Sequence, residues 1–483
     1  MLRFSLNRRK INTAQFSQDM NVTSNNIVWA KSALLSDGWA NHVEITIDPQ
    51  GDIVQILTDQ DYQQGDRVGL LIPGVPNVHS HAHQRAMSGL AERAGQSGDA
   101  AQDSFWTWRK VMYHYLERIQ PEHLKAISAQ LYLEMLKAGY TNVGEFQYLH
   151  HQSDGKPFDD RSEMSQQCMQ AASEVGIGFT ALPVLYQYGG FGSQPSLDGQ
   201  KRFLNNADEF GEIVLALQNS CRDNKNNSVG IAAHSLRAVD QSLLAEVINN
   251  LGVDNLAAIH IHIAEQTKEV DDCLAWSGQR PVEWLLERFD VNQQWCLIHA
   301  THMTHQETLD MAQSGAIAGL CPTTEANLGD GFFNAQEYVK AGGQWAIGSD
   351  SHISIDPVEE LRWFEYGVRL QTRGRSLMVS EQMKNTGRNL LDQALLGAES
   401  ACGRQIGKLG VGYRADMLVL DDQHPRLYGR HEDDLIDSWI FSGNENLVNR
   451  VYVGGRLVIK DGQHPQEQEI SEQYRQTLDA LAN

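Results

Sequence analysis

Short apolar segments alternate with amphipathic segments through the middle of the chain. Eight apolar runs bounded by turn residues are typical of buried parallel strands: LIPGVPNVH, TNVGEF, IGFTALPVLY, VGIAAH, AAIHIHIAE, WCLIH, AIAGLC and WAIGSD. The stretches between them, such as PEHLKAISAQLYLEMLKAG and PVEWLLERF, place apolar residues at helical spacing. Eight β/α repeats predict an α/β fold, a (β/α)8 TIM barrel, over residues 71–410.

The two ends of the chain follow a different pattern, in which apolar and polar residues alternate. IVWAKSALL and HVEITIDPQGDIVQIL lie near the beginning, and VGYRADMLVLD and VNRVYVGGRLVIKDG lie near the end. Alternation of this kind, with glycine-containing turns, predicts strands. We therefore expect residues 27–70 and 411–465 to form one small composite β-sandwich domain. Residues 1–26 are expected to be a disordered N-terminal arm, and residues 466–483 a C-terminal tail.

Composition and charge narrow the class of protein. The chain has 483 residues, of which 41% are hydrophobic and 21% charged, as in ordinary globular proteins. Its 39 Lys and Arg against 61 Asp and Glu give a formal net charge of -22, which repels nucleic acid and anionic membranes. The six cysteines never form C-x-x-C, and no apolar stretch approaches the roughly 20 residues of a membrane span. The sequence predicts a cytoplasmic protein without a nucleic-acid or membrane partner.

Residues of the metal-ligand type stand where several predicted strands end. They are His79 and His81 after the first run, His262 and Glu265 after the fifth, His299 after the sixth and Asp350 after the eighth. Because side chains at i and i+2 of a strand point to the same side, His79 and His81 can reach one cation. In a TIM barrel the chemistry lies at the carboxyl ends of the strands. The sequence therefore predicts a metal site at the barrel mouth.

At these strand ends the chain resembles the amidohydrolase superfamily, through LLIPGVPNVHSH, HIAE, WCLIHATH and AIGSD, over residues 27–463. The mononuclear deaminase branch of that superfamily binds one divalent metal. The resemblance implies four ligands, which are His79, His81, His262 and Asp350. It also implies that Glu265 shuttles protons, that His299 polarises the substrate and that Asp350 takes part in catalysis. His260 is an alternative ligand to His262, but the spacing to Glu265 favours His262.

The metal count and type follow from the same comparison. Binuclear members of the superfamily commonly bridge two metals with a carboxylated Lys on strand four, and the run SVGIAAHSLR has no Lys. We therefore expect one metal ion. Three imidazoles and a carboxylate suit zinc, with iron as the alternative.

Longer motifs point to a substrate. HSHAHQRAMSGLAE, DSFWTWRKVMY, GEFQYLHH and CPTTEANLGDG resemble the branch that deiminates N-formimino-L-glutamate in histidine degradation. The resemblance implies five substrate contacts, which are Gln84, Arg109, Tyr148, His234 and Arg237. A substrate with two carboxylates needs guanidinium groups in so acidic a protein, and Arg109 and Arg237 are the candidates. One departure is His83, where the resemblance predicts Phe; we interpret it as an exposed or packing histidine rather than an extra ligand.

Two other functions remain open from the sequence. One is an aminohydrolase or chlorohydrolase of the same superfamily that acts on a purine or triazine ring, although a ring pocket needs aromatic walls more than two arginines. The other is an inactive barrel that serves as a scaffold. The complete set of implied ligands, together with Glu265, argues against a scaffold. Besides its small-molecule substrate, the chain is a candidate homodimer.

Overall fold

The computed structural model describes residues 26–92, 112, 113 and 115–482. The predicted N-terminal arm therefore lies outside the described residues except for Asn26, which begins the first strand. The described residues form two β-sheets and their surrounding helices.

The first sheet is a nearly closed barrel of parallel strands. Its strands are β5 (Val75–Ser80), β6 (Tyr140–Gln147), β7 (Gly178–Leu185), β8 (Asn227–Val229), β9 (Ile231–Ala233), β10 (Ile259–Ile263), β11 (Trp295–His299), β12 (Ile317–Leu320) and β13 (Gln344–Ile347). Hydrogen-bonded neighbours run from β5 through β6, β7 and β9 to β13, with β8 beside β7. A parallel bridge between Ser80 and Asp350 joins the first and last strands. All eight predicted runs are strands, and the predicted TIM barrel is confirmed.

Helices surround this barrel and follow its strands. They are α1 (Pro121–Ala138), α2 (Glu163–Val175), α3 (Ala207–Cys221), α4 (Gln241–Leu251), α5 (Thr267–Ser277), α6 (Pro281–Arg288), α7 (His305–Ser314), α8 (Pro322–Leu328), α9 (Ala335–Lys340), α10 (Pro357–Thr372) and α11 (Thr386–Cys402). Local sequence sets their ends: α1 begins with Pro121 at its first position and ends at Gly139, whose φ of 112° is left-handed. Short 3-10 turns at Ala82–Met87, Asp198–Gln200 and Val253–Asn255 complete the connections.

The second sheet is built from both ends of the chain, as predicted. It contains β1 (Asn26–Leu35), β2 (Gly38–Ile47), β3 (Ile53–Leu57), β4 (Asp66–Pro73), β14 (Met417–Leu420), β15 (Val448–Val453) and β16 (Arg456–Ile459). The order is β16-β15-β14-β4-β1-β2-β3, so that antiparallel pairing of β14 with β4 joins the two ends. One face has its own small core, which includes Val43, Ile45, Leu71 and Met417.

A single glycine marks the passage from this sheet into the barrel. β4 ends at Pro73 and β5 begins at Val75. A Cβ on the intervening Gly74 would collide with the side chain of Thr141. The chain can therefore run directly from one sheet to the other only because this position carries no side chain.

Two helices lie in the C-terminal part of the chain. They are α12 (Asp433–Phe441) and α13 (Glu467–Ala482). The segment predicted as a C-terminal tail is thus mainly α13, which buries Ile470 and Leu481 and packs against α1. The division into domains at residues 70 and 411 stays a prediction. Within the described residues, none of the helices combines the length and apolar character needed to cross a membrane.

Candidate active site

The carboxyl ends of β10, β11 and β13 carry unusual backbone conformations together with the predicted functional residues. Positive φ angles occur at Ala264 (52°), His299 (69°) and Asp350 (45°), none of which is glycine. A non-glycine residue with positive φ costs free energy, and such residues cluster at functional sites. The strained positions coincide with the barrel mouth, where the sequence places the chemistry.

The four predicted metal ligands come together there. The Nε2 atom of His262 lies 3.1 Å from that of His79 and 3.3 Å from that of His81. The Asp350 Oδ1 atom lies 3.4 Å from His79 Nε2 and 3.3 Å from His81 Nε2. Neighbouring ligand atoms of a tetrahedral zinc site with bonds of 2.0–2.1 Å are separated by about 3.4 Å. These four separations of 3.1–3.4 Å therefore fall near the edge length of such a tetrahedron.

Hydrogen bonds at the Nδ1 atoms of His81 and His262 show that the Nε2 atoms of these rings direct lone pairs into the ligand cluster. His81 Nδ1 donates to the Phe146 carbonyl at 2.9 Å, and His262 Nδ1 donates to the His234 carbonyl at 2.9 Å. In neutral imidazoles the two Nε2 atoms then carry no proton and point lone pairs at each other. Such an arrangement is unfavourable alone and favourable around a cation, so the donor set fits a metal ion.

Burial keeps these imidazoles neutral, as metal ligands must be. It lowers the pKa of His79 to about 3 and holds the pKa values of His81 and His262 below their usual range. Burial opposes charge on Asp350, but hydrogen bonding and the nearby histidines outweigh it and lower the pKa of this carboxyl. The cluster thus offers three neutral nitrogens and one carboxylate.

His299 and Glu265 stand beside the ligand cluster as a buried pair. His299 Nε2 lies 3.8 Å from Glu265 Oε1 and 3.8 Å from Asp350 Oδ2, while its Nδ1 contacts Glu325 Oε1 at 3.2 Å. Burial disfavours a charged His299, but the surrounding carboxylates overcome this and raise its pKa. Burial also raises the pKa of Glu265, despite the opposing effect of His299. A carboxyl with a raised pKa can both accept and release a proton near neutral pH.

One cavity holds most of the remaining predicted site residues. Its empty volume is about 520 Å³ including open space at the mouth, and its walls include Gln84, Tyr148, His234, Arg237 and Glu265. Within it, Gln84 Nε2 donates to the Tyr148 hydroxyl at 3.2 Å. The fifth predicted substrate contact, Arg109, lies outside the described residues.

Two other histidines near the predicted ligands, His260 and His83, do not belong to the ligand cluster. His260 Nε2 donates to the Ala401 carbonyl at 2.7 Å, so its ring is engaged away from the ligand cluster. His83 is buried rather than exposed, which corrects one of its two interpretations, and its Nε2 lies 2.9 Å from the Tyr148 hydroxyl. In the part of the chain that the structure describes, the candidate metal clusters include neither residue.

Sequence reasoning missed residues that support the site from behind. Glu145, on β6, accepts hydrogen bonds from Ser80 Oγ at 2.6 Å and from the Ala82 backbone at 2.7 Å, and so holds the turn that carries His81. Glu325, on α8, accepts from the Cys321 backbone at 2.9 Å and contacts His299. The signal for Glu325 was its place just after the seventh strand, where a carboxylate faces the barrel mouth.

Comparison with known proteins identifies the family to which the chain belongs. A model described as Amidohydrolase family matches residues 70–458. The chain belongs to this family. A second model, described as Formimidoylglutamate deiminase HutF, N-terminal domain, matches residues 25–69.

Individual relatives agree with that class. The chain is 48% identical to a formimidoylglutamate deiminase from Pseudomonas aeruginosa, over 94% of this chain and 99% of the relative. It is also similar to a crystal structure of an amidohydrolase from Brucella melitensis, with a TM-score of 0.89 and 43% identity, over 95% of this chain and all of that one. An adenosine deaminase from Xanthomonas campestris with bound zinc shares the fold at a TM-score of 0.78 and 20% identity, over 95% and 99% of the two chains.

Proposed function

We propose that this chain hydrolyses N-formimino-L-glutamate to N-formyl-L-glutamate and ammonia, a step of histidine degradation. The observation that carries the proposal is one cavity whose walls combine three of the four proposed ligands, His81, His262 and Asp350, with Glu265 and Arg237. Support comes from the 48% identity to a formimidoylglutamate deiminase over nearly the full length of both chains. A cation beside the metal centre is what an anionic substrate with a hydrolysable C–N bond requires.

We assign one divalent metal ion, zinc, to His79, His81, His262 and Asp350. The separations of 3.1–3.4 Å between neighbouring ligand atoms and the neutral state of the imidazoles support this choice. When bound, such a metal polarises a water molecule and makes it a nucleophile near neutral pH. Cys321 meets His299 and Asp350 in another candidate cluster, but burial raises the pKa of its thiol far above the range of a thiolate ligand.

Each side chain of the site has a separate role in the proposed reaction. Glu265 accepts the proton of the attacking water and delivers it to the departing nitrogen, for which its raised pKa suits it. His299, held by Glu325 through Nδ1, has its Nε2 beside Glu265 and Asp350, where it would polarise the formimino group of the substrate. Arg237 binds one substrate carboxylate, and Tyr148, Gln84 and His234 line the remaining wall. We assign the second carboxylate to Arg109.

The cavity favours a flexible dicarboxylate over a purine or triazine ring. The described walls combine a guanidinium, an amide and imidazoles with only one phenol ring, that of Tyr148. Charge-assisted hydrogen bonds to carboxylates are stronger than stacking on a single ring. We also propose a reducing, cytoplasmic setting, because all six cysteines are free and buried.

Product analysis tests the assignment. The zinc-loaded protein is incubated with N-formimino-L-glutamate, and ammonia and N-formyl-L-glutamate are quantified together by enzymatic assay and NMR. We expect equal amounts of both products, about one zinc per chain by elemental analysis, and loss of activity after chelation that one equivalent of zinc restores. Release of formamide or formate instead, or full activity in the chelated protein, would refute the proposal.

A further inference from the structure

His83 is a buried histidine that contacts the wall of the cavity from outside it. It lies in the short turn Ala82–Met87, directly after the β5 strand end. Among the described residues, the cavity walls include Tyr148 and Gln84 but not His83. Its ring meets that of Tyr148 edge to face, with centroids 4.8 Å apart, and its Nε2 lies 2.9 Å from the Tyr148 hydroxyl. The phenylalanine that the sequence resemblance predicts here would keep the ring contact but not the hydrogen bond.

The Tyr148 hydroxyl has further polar contacts, which define the direction of its proton. The hydroxyl donates to Met112 Sδ at 3.2 Å, and its oxygen accepts from Gln84 Nε2 at 3.2 Å. Because the phenol proton is directed at Met112, His83 Nε2 acts as a second donor to the same oxygen. Met112 also lines the cavity, so the proton of Tyr148 lies on the cavity side.

We propose that His83 is a positioning residue: it holds the Tyr148 hydroxyl so that its proton faces the cavity, where Tyr148 donates to a carboxylate oxygen of the substrate. A thioether sulfur is a weak acceptor, whereas hydrogen bonds to a carboxylate are charge-assisted and strong. The hydroxyl therefore exchanges Met112 for the substrate, while His83 and Gln84 keep its oxygen in place. The inference rests on the proposed function, since that function brings a carboxylate into the cavity.

The packing of the phenol ring makes the hydroxyl the remaining group to be fixed. Phe203 meets the Tyr148 ring edge to face, with centroids 5.0 Å apart, and both side chains are buried. A hydrogen-bonding group that is already oriented loses less freedom when its ligand arrives, so preorganisation strengthens binding. A contact of equal strength in the bound substrate and in the transition state changes KM and leaves kcat unchanged. We therefore expect His83 to affect substrate affinity rather than turnover.

Replacement of His83 tests this role. His83→Phe keeps a ring and removes the donor, so KM for N-formimino-L-glutamate should rise about 3- to 10-fold with kcat little changed. The Kd of N-formyl-L-glutamate, measured by calorimetry without turnover, should rise by a similar factor. His83→Gln, whose amide can still donate, should restore most of the affinity. The matched control is His464→Phe, at another buried histidine, which donates to the Val175 carbonyl at 3.0 Å and should leave KM unchanged.

A double-mutant cycle separates positioning from support of the fold. Tyr148→Phe removes the hydroxyl through which His83 acts, so adding His83→Phe to that variant should not raise KM further. Equal effects of His83→Phe with and without the hydroxyl would overturn the proposal, as would a His83→Gln variant as weak as His83→Phe. An active wild type whose KM is insensitive to His83→Phe refutes this inference alone. A wild type inactive on N-formimino-L-glutamate refutes the proposed function, and the inference with it.

Discussion

The proton transfer that we propose for Glu265 depends on the buried surroundings of its carboxyl group. The buried carboxyl lies 3.8 Å from His299, and burial raises its pKa. Glu265→Gln keeps the size of the side chain but removes the proton carrier. We expect turnover to fall by about 100-fold or more while the metal content stays unchanged, as measured by steady-state kinetics and elemental analysis. Turnover close to that of the wild type would remove Glu265 from the mechanism.

Arg237 lines the cavity, and it is the described residue to which we assign a substrate carboxylate. Arg237→Met keeps an apolar stem of similar length and removes the guanidinium. We expect kcat/KM to fall about 10- to 150-fold, because a charge-assisted contact contributes roughly 1.5–3 kcal/mol. The control Arg222→Met, at an exposed arginine, should change nothing.

Discrimination between substrates separates recognition from folding. The wild-type protein should prefer N-formimino-L-glutamate strongly over the analogue that lacks one carboxylate, and Arg237→Met should lose most of that preference. If the variant loses activity equally on both compounds, Arg237 supports the fold instead.

His150 makes stability depend on pH at a distance from the ligand cluster. Its buried Nε2 donates to the Val184 carbonyl at 2.9 Å, and burial lowers its pKa from 6.5 to about 3. Below pH 6.5 the unfolded chain binds a proton that the folded chain does not, so acidification favours unfolding. The contribution is complete above pH 6.5 and diminishes as the pH falls toward 3.

His150→Gln should remove this dependence, since glutamine can still donate to the carbonyl but does not titrate. Between about pH 6 and 4 the wild-type free energy of unfolding should fall more steeply than that of the variant, by about 1.4 kcal/mol per pH unit. Urea unfolding at several pH values measures this difference. The exposed His431→Gln is the control, and identical slopes for wild type and His150→Gln would contradict the prediction.

At the scale of elements, the sequence predicted the strands better than the C-terminal helix. Barrel strands are buried on both faces, so they appear as continuous apolar runs between turn residues. Helix α13 is mostly polar, and its buried positions are fewer. Ile470, Tyr474, Thr477 and Leu481 recur at helical spacing, and this weak stripe was the signal that would have predicted it.

Substitutions at two helical glycines test how closely the helices pack against the barrel. Gly397 in α11 lies against the Trp345 backbone of β13, where a Cβ would collide with the carbonyl, while Gly211 in α3 has open space around it. Gly397→Ala should destabilise the protein by about 1–3 kcal/mol through overpacking. Gly211→Ala should stabilise it by about 0.5–1 kcal/mol, because alanine favours the helix. Denaturant unfolding that shows the same sign for both would contradict this packing.

At the scale of the whole molecule, the order of strands explains which parts of the site were predictable. Once the barrel is predicted, the residues that end β5, β10, β11 and β13 must meet at one mouth, which brings His79 near Asp350 although 271 positions separate them along the chain. The supporting contacts were not predictable in this way. The bond of His83 to Tyr148 and that of Glu145 to Ser80 depend on side-chain directions in three dimensions, which no sequence period encodes.

The central claim is that a metal-dependent amidohydrolase barrel acts here on a dianionic formimino compound rather than on a ring. Its most direct test is ammonia release by the zinc-loaded protein, measured as kcat/KM on N-formimino-L-glutamate beside S-adenosylhomocysteine and guanine. The account predicts a value for N-formimino-L-glutamate at least about 1,000-fold above those of both ring compounds, since neither offers two carboxylates to the arginines. Activity on a ring compound, with none on N-formimino-L-glutamate, would contradict it.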